Sequence, residues 1–414
     1  MPVFERVNEF MNIISGGVCA AKGFTANGIH CGIRKNKTKK DLSLIYSEVP
    51  AHAASVYTTN LVKGAPLLVT KEHLSDGCAQ VILCNSGNAN TCNADGVEIA
   101  QAMCTMAAQA TGLQPTDIII ASTGVIGQPL PLAPIAAGKE PLAASLSEQG
   151  SAQAAEGIMT TDTVRKEMAV SFVVGGKTCH LGGIAKGSGM IAPNMATMLV
   201  FLTTDANISS FMLQKALSED VKDSFNMVSV DGDTSTNDMV AILANGLAGN
   251  AEISAEGADF SAFREALAMV TQTLCKAIAK DGEGATRLIT CKVSGAKTTA
   301  DAKIAAKAVV RSSLLKAAIF GADANWGRVL CALGYSGAQL DVAQVGVTFA
   351  SAKGSITVCT HGAGVNFSEE KAKEILLEDA VEILITLQDG TGEATAWGCD
   401  LTYDYVKING DYRT

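Results

Sequence analysis

Long apolar runs are missing from this sequence: no window approaches the ~18 uninterrupted apolar residues of a transmembrane helix, so no membrane span is expected. Aromatic residues are scarce, at 5% of 414, a composition poorly suited to stacking against bases. Positive charge is in deficit, with 32 Lys and Arg against 41 Asp and Glu and a formal net charge of −9. Phosphate backbones and anionic membranes would be repelled, which argues against nucleic acid as a partner. Twelve cysteines are present, yet none forms a C-x-x-C pair. Most stand in apolar contexts, such as Cys84 after Val81-Ile82-Leu83 and Cys331 after Val329-Leu330, and read as reduced thiols acting as small hydrophobes. The five histidines are scattered, without metal-ligand spacing. The opening MPVFERVNEFMNIISGG carries Glu5 and Glu9 and fits neither a secretory signal nor an Arg-rich transit peptide, so a cytoplasmic location is expected.

Nucleotide and calcium motifs fail in the same way. Gly187-x-Gly189 and Gly282-x-Gly284 each lack the third glycine and the strand-to-helix context of a dinucleotide site. No G-x-x-x-x-G-K-[ST] loop exists. The run Asp231-Gly232-Asp233-Thr234-Ser235-Thr236-Asn237-Asp238 has Thr236 and Ile242 where a calcium loop needs Gly and Glu. Its hydroxyls, amide and carboxylates are expected to cap a helix or fix a tight turn.

What is present is material for a large core. Apolar residues make up 48% and charged residues 18%, and Gly reaches 40, a mix that suits tightly packed α/β layers. At this length two or more lobes are expected. Residues 79–84 read as a buried strand closed by the turn-rich Asn85 to Asn90. A helix follows over 95–110, with Ile99, Met103 and Met106 on one face, then a strand over 117–121 running into Ser122-Thr123-Gly124. Residues 167–174 and 178–184 form a hairpin pair across Gly175-Gly176-Lys177. A Gly-rich segment, 186–194, precedes a strand beginning near Met195. Helices are expected over 211–225 and 260–279, strands over 288–294 and 346–350, and a helix-rich run over 300–318. The pattern is mixed α/β throughout.

One segment keeps a claim on chemistry. Thr197 opens an apolar strand, where threonine is ordinarily a β-former. Lys186, Ser188 and Asn194 set polar groups near it, among glycines that let backbone approach closely. Upstream, the hydroxyls and N–H groups of Ser122-Thr123-Gly124 stand at a strand end. Spacing leaves both the structural and the catalytic reading open.

The segment KGSGMIAPNMATML (186–199) resembles the signature of the ornithine acetyltransferases, also called arginine-biosynthesis bifunctional proteins. Further blocks share that resemblance: GGVCAAKGFTANGIHCGIR (16–34), Ala54 to Asn60, Asn85 to Ala89, STGVIG (122–127), MTTDT (159–163) and VDGDTSTND (230–238). So do DGEGATRL (281–288), GADANWGR (321–328) and INGDYRT (408–414), in unbroken order over essentially the whole chain. One small departure is Ser122, where threonine is frequent in the family.

The resemblance implies a precursor that cuts itself between Ala196 and Thr197, giving an α chain of 1–196 and a β chain of 197–414 with Thr197 as N-terminal nucleophile. The freed α-amine, with an ordinary pKa of roughly 7.7–8.0, can serve as base for its own hydroxyl near neutral pH. It further implies ping-pong transfer of acetyl from N-acetylornithine to glutamate through acetyl-Thr197, a glutamate N-acetyltransferase of arginine biosynthesis. Thr123 (hydroxyl) and Gly124 (backbone N–H) would form the oxyanion pair, and Thr160, Lys186, Glu283, Asn409 and Thr414 would contact substrate; Thr161 competes with Thr160 for that place. No cofactor is implied. Acetyl-CoA would be a second donor if the enzyme is bifunctional. The implied fold is a layered α/β sandwich of the self-cleaving ornithine acetyltransferase/aminopeptidase type, with a smaller C-terminal lobe. The cleavage products would share one core, and the implied assembly is an α2β2 heterotetramer. An amidase or aminopeptidase on the same self-cleaving scaffold is the alternative, though serine is the usual nucleophile there.

Overall fold

Two hexapeptides, LVFLTT at 199–204 and MVAILA at 239–244, are apolar without alternation, and every one of their residues is buried. A strand reads this way when both of its faces are covered. A computed structural model, which describes residues 6–8, 10–192 and 198–411, shows what covers them. Strands are numbered in chain order: β1 Arg6–Asn8, β2 Met11–Ile14, β3 Phe24–Ile29, β4 Leu42–Tyr57, β5 Cys78–Asn88, β6 Ile118–Val125, β7 Lys166–Val174, β8 Lys177–Lys186 and β9 Leu199–Thr204. The remainder are β10 Val228–Ser229, β11 Met239–Ala244, β12 Leu288–Ala296, β13 Gly346–Ser351, β14 Gly354–Thr360, β15 Ala363–Gly364, β16 Ala380–Thr386 and β17 Gly392–Cys399.

Among the described residues the first sheet has ten strands, in the order β1-β2-β7-β8-β9-β11-β4-β5-β6, with β3 also paired to β4. It does not lie flat. The 16-residue β4 pairs with β11 through His52 to Tyr57, and with β5 through Leu42–Tyr46 and again at Ala51 and His52, with a register shift between Tyr46 and Ala51. Bent there, the sheet folds its two halves face to face. Ile45, Ile82, Cys84, Ile119 and Ala121 from one half meet Ile184, Leu199, Phe201, Met239 and Ala241 from the other in one inner core. The opposite faces of β9 and β11, with Val200, Leu202, Val240 and Ile242, bury against helices Ser210–Asp220 and Ala258–Lys280. Helices Gly96–Thr111 and Leu132–Ala144 cover the outside of β4, β5 and β6. The result is the expected layered α/β sandwich.

The second sheet, β10-β17-β12-β16-β13-β14-β15, makes the C-terminal lobe. Its apolar cluster runs continuously into that of the sandwich by way of helix Ala258–Lys280. No helix among the described residues is long and apolar enough to cross a membrane.

Several expectations need correction. Asn85 to Asn88 is not a closing turn: β5 continues in parallel with β6 through Asn88, because Asn85 Nδ2 donates to the Asn88 carbonyl at 2.9 Å and so satisfies the irregular backbone internally. The 211–225 helix spans Ser210–Asp220, after which Ser224 Oγ donates to the Asp220 carbonyl and carboxylate, each at 2.9 Å, and turns the chain. The helix-rich run over 300–318 is present as expected, as two helices, Thr299–Arg311 and Ser313–Phe320, with Ser312 capping the second. On helix Gly96–Thr111 the buried face centres on Ala100, Met103, Cys104 and Ala107, leaving Ile99 and Met106 at its margin. All twelve cysteines are free, but Cys331 is exposed, since helix Trp326–Gly334 turns Val329, Ala332 and Leu333 inward instead.

Candidate active site

Lys186 ends β8 and Thr123 lies near the end of β6, with four strands between them along the hydrogen-bonded path. In a flat sheet, at 4.7–4.9 Å per strand, that would be roughly 24 Å. Instead Lys186 Nζ donates to Thr123 Oγ1 at 3.5 Å, because the bend of β4 folds the two ends onto each other. Both side chains are only 8% exposed. A charge-assisted donor and a hydroxyl therefore share a cleft lined by strand ends, which is where irregular backbone and chemistry can coexist.

Gly124 is held at φ 130, a region that disfavours side chains. A Cβ there would lie 2.4 Å from the Gly87 carbonyl carbon and 2.6 Å from Asn88 N. The sequence puts glycine at this point because β5 and β6 come too close for anything larger. Ser122 Oγ donates to Asn85 Oδ1 at 2.5 Å, and Asn237 Nδ2 donates to the carbonyls of Ala89 at 2.6 Å and Ser122 at 3.0 Å. Thr91 and Thr236 hydroxyls both donate to Asn237 Oδ1 at 2.6 Å. Asn85 thus holds the Ser122 hydroxyl and Asn237 the Ser122 carbonyl, fixing the residue that precedes Thr123 and Gly124.

The 231–238 loop that Asn237 belongs to caps no helix but does fix tight turns, with Asp233 N donating to Asp231 Oδ1 and Asn237 N to Ser235 Oγ, each at 3.3 Å. Asp231 accepts from Met190 N at 2.6 Å and Ile191 N at 2.8 Å, and Thr234 Oγ1 donates to the Ala192 carbonyl at 2.9 Å, so the loop anchors the Gly-rich segment. At its end Asp238 is 2% exposed, and burial pushes its carboxyl well up despite the nearby Lys186 charge. Among the described residues, no group of three or more His, Cys, Asp or Glu is placed to hold a metal ion.

Behind Lys186 lies a second group. Asp162 accepts from Gly187 N at 2.7 Å and from Thr160 N at 3.0 Å. Burial raises the Asp162 carboxyl, but the Lys166 and Lys186 charges outweigh it and hold the pKa down at about 2. Glu283 is 9% exposed, and Asn409 Nδ2 donates to its Oε2 at 2.7 Å. Its carboxylate lies over Gly189, where a Cβ would come within 2.4 Å of it. A cavity of about 750 Å³ opens beside this pair, between Asp281, Gly282 and Gly284 on one side and Asp404, Lys407 and Asp411 of helix Tyr403–Asp411 on the other.

Of the residues singled out from sequence, the structure brings Thr123 and Lys186 into contact and pairs Glu283 with Asn409. Thr160 joins them only through its backbone bond to Asp162. Ala196, Thr197 and Thr414 lie outside the described residues; Met198, the residue after Thr197 in the sequence, is buried, and its carbonyl accepts from Met239 N at 3.0 Å. Sequence reading missed Asn85, Asp162, Lys166, Asn237 and Asp281. Asn85 and Asn237 carried a signal, being amides inside motif blocks with buried neighbours on both sides; Asp162, Lys166 and Asp281 each have an exposed neighbour and carried none.

The ArgJ family model matches residues 25–414. Arginine biosynthesis bifunctional protein ArgJ 1 of Clostridium acetobutylicum is 52% identical over 392 residues, which is 94% of this chain and 96% of that protein. The corresponding protein of Symbiobacterium thermophilum is 53% identical over 98% of this chain and 100% of its own length. A solved structure of the Bacillus halodurans protein, 46% identical, aligns with a TM-score of 0.49 over 52% of this chain and 98% of that one.

Proposed function

The chain belongs to the ArgJ family, and on that premise we propose that it is a glutamate N-acetyltransferase that moves acetyl from N2-acetylornithine to glutamate through acetyl-Thr197. The observation that carries this reading is the contact between Lys186 and Thr123 across the folded sheet, at the mouth where β9 begins. Lys186 is the register partner of Leu199, and Met239 of β11 pairs with the same residue from the other side. Strand β9 therefore opens directly beside the lysine and hydroxyl that the chemistry requires.

In the proposed cycle Thr197 Oγ first attacks the Ala196 carbonyl; the C–N bond breaks, which frees the α-amine and leaves Ala196 as an ester on Oγ, and hydrolysis of that ester restores the hydroxyl and releases the Ala196 carboxylate. That amine then takes the Thr197 hydroxyl proton as Oγ attacks the acetyl carbonyl. Thr123 Oγ1 and the Gly124 N–H receive the developing oxyanion, and ornithine leaves. Glutamate attacks the acetyl ester through a second such intermediate. Lys186 faces a substrate carboxylate as a point charge, and Glu283, steadied by Asn409, faces the side-chain ammonium of ornithine. Thr160 and Thr414 complete the proposed substrate contacts. No cofactor is needed, since the acetyl group rides on the protein.

Strands preceding and following the proposed cut alternate in the first sheet, with β9 and β11 lying between β8 and β4. Chains 1–196 and 197–414 would therefore stay together after cleavage; assembly as an α2β2 heterotetramer in the cytoplasm completes the proposal. Intact-mass measurement tests the first step: two fragments are expected, the second starting at Thr197, in place of one 42.7 kDa species. Acetyl transfer is then followed with and without glutamate. Hydrolysis that outpaces transfer would favour an amidase instead, and substituting acetyl-CoA for acetylornithine reports whether a second donor is used.

A further inference from the structure

Lys166 is among the largest fully buried side chains of the protein, with its side chain 0% exposed. Its Nζ lies 2.7 Å from Asp162 Oδ1 and 2.6 Å from Asp281 Oδ2 and donates to the Val164 carbonyl at 3.4 Å. Burying an ammonium is tolerated only with such compensation, and removing one partner of a buried ion group is costly.

The two carboxylates lead to different parts of the cleft. Asp162 holds the backbone of Thr160 and of Gly187, the residue after Lys186. Asp281 accepts from Thr163 N at 3.1 Å and from the Thr163 hydroxyl, while its own carbonyl accepts from Ser188 Oγ at 2.6 Å. The Ser188 carbonyl in turn accepts from Glu283 N at 3.1 Å. The group that would bind a substrate carboxylate and the group that would bind a substrate ammonium are thus tied together through one buried cation. The charges also cancel: Asp162 and Asp281 against Lys166 and Lys186.

We propose that Lys166 is a positioning residue that fixes Lys186 relative to Glu283, and that by neutralising Asp162 and Asp281 it leaves the Lys186 charge available to the substrate carboxylate. This rests on the transferase reading above. Without Lys166, two buried carboxylates would draw on Lys186 in its place, and the cleft would lose affinity before it lost its reacting hydroxyl.

The experiment is steady-state transfer by self-cleaved enzyme, with N-acetylornithine and glutamate varied separately and rates referred to cleaved protein. A wild-type enzyme without transfer would remove the underlying reading, not this inference. Given wild-type transfer, Lys166→Met is expected to raise KM for both substrates about tenfold or more, with a smaller fall in kcat. Adding Asp281→Asn restores the zero charge sum and is expected to bring both KM values back to within about threefold of wild type. A cleaved Lys166→Met enzyme whose KM values stay within about twofold of wild type overturns the inference, and so does a double variant no better than the single. Where Lys166→Met yields no cleaved protein, a double variant that regains cleavage with KM values within about threefold of wild type supports the inference, and one that also fails to cleave, or cleaves with KM values raised about tenfold, overturns it.

Discussion

The two sheets each bury a lysine and treat it differently. Lys166, in the sandwich, is flanked by two carboxylates that continue into the cleft. Lys316, 3% exposed on helix Ser313–Phe320, donates to the carbonyl of Cys399 and lies 3.4 Å from its thiol; no carboxylate of a described residue lies within 4 Å. The first lysine organises several segments of different origin, while the second fastens one helix to the end of β17. The same contrast runs through the sheets. The ends of β5, β6 and β8 carry Gly124 at φ 130, Asn90 at φ 47 and Met190 at φ 58, together with buried asparagines and aspartates. The β13–β14 hairpin of the second sheet turns in solvent, with Thr348 and Thr357 hydroxyls paired on its exposed face. Buried polar groups are expensive, and several gather at this cleft, whereas left-handed backbone occurs in the second lobe too, at Ala322, His361 and Gln388.

That contrast can be broken by substitution. The largest effect is expected from Thr197→Ala, which should abolish both cleavage, read by intact mass, and acetyl transfer; appreciable surviving transfer would refute the nucleophile. Thr123→Ala, removing one oxyanion donor, should lower kcat on the order of a hundredfold with cleavage still measurable. An unchanged kcat would leave the 122–124 segment a structural turn. On the other side of the comparison, Lys316→Met should cost about 1–3 kcal/mol in denaturant unfolding by leaving the Cys399 carbonyl unpaired. Transfer by the folded fraction should be unchanged, and a matching loss of kcat would erase the distinction between the two lysines.

Acid should weaken the buried Asp162 group. Asp162 titrates near 2 in the folded protein, below its ordinary 3.8, so its contribution is complete above that ordinary value and is lost as pH falls from about 4 towards 2. The shift corresponds to about 2 kcal/mol, and Asp162→Asn should flatten the acid limb of the stability profile. An acid limb identical in Asp162→Asn would show that other carboxylates govern it. The smallest effect belongs to the exposed pair Lys292–Glu382 on the second sheet, at 2.6 Å. Replacing either residue should change stability by less than about 1 kcal/mol, with transfer untouched.

The long elements were legible because their periodicity is local. The strands over 79–84 and 288–294 and the helix over 260–279 appear close to where apolar spacing put them. The errors fell where side chains replace backbone partners, as at Asn85 and Ser224, because a polar residue that closes a turn and one that sustains a buried strand look alike in sequence. The candidate site divides in the same way. Thr123, Gly124, Lys186 and Glu283 were found through motif blocks. Lys166, Asp162 and Asp281 were not, because their importance depends on burial and on partners 4 to 115 positions away.

By itself, the amino-acid sequence determined the mixed α/β class, the unalternated apolar runs that must lie between two covering layers, the glycine at 124 and the family to which the chain belongs. Those are properties of residue type and local order. Only the tertiary structure decided that Lys186 meets Thr123, since the bend in β4 brings together strand ends that pairing alone would keep far apart. It likewise decided that one buried ammonium joins the two charged sides of the cleft, because charge balance in a low-dielectric interior is a property of neighbours in space.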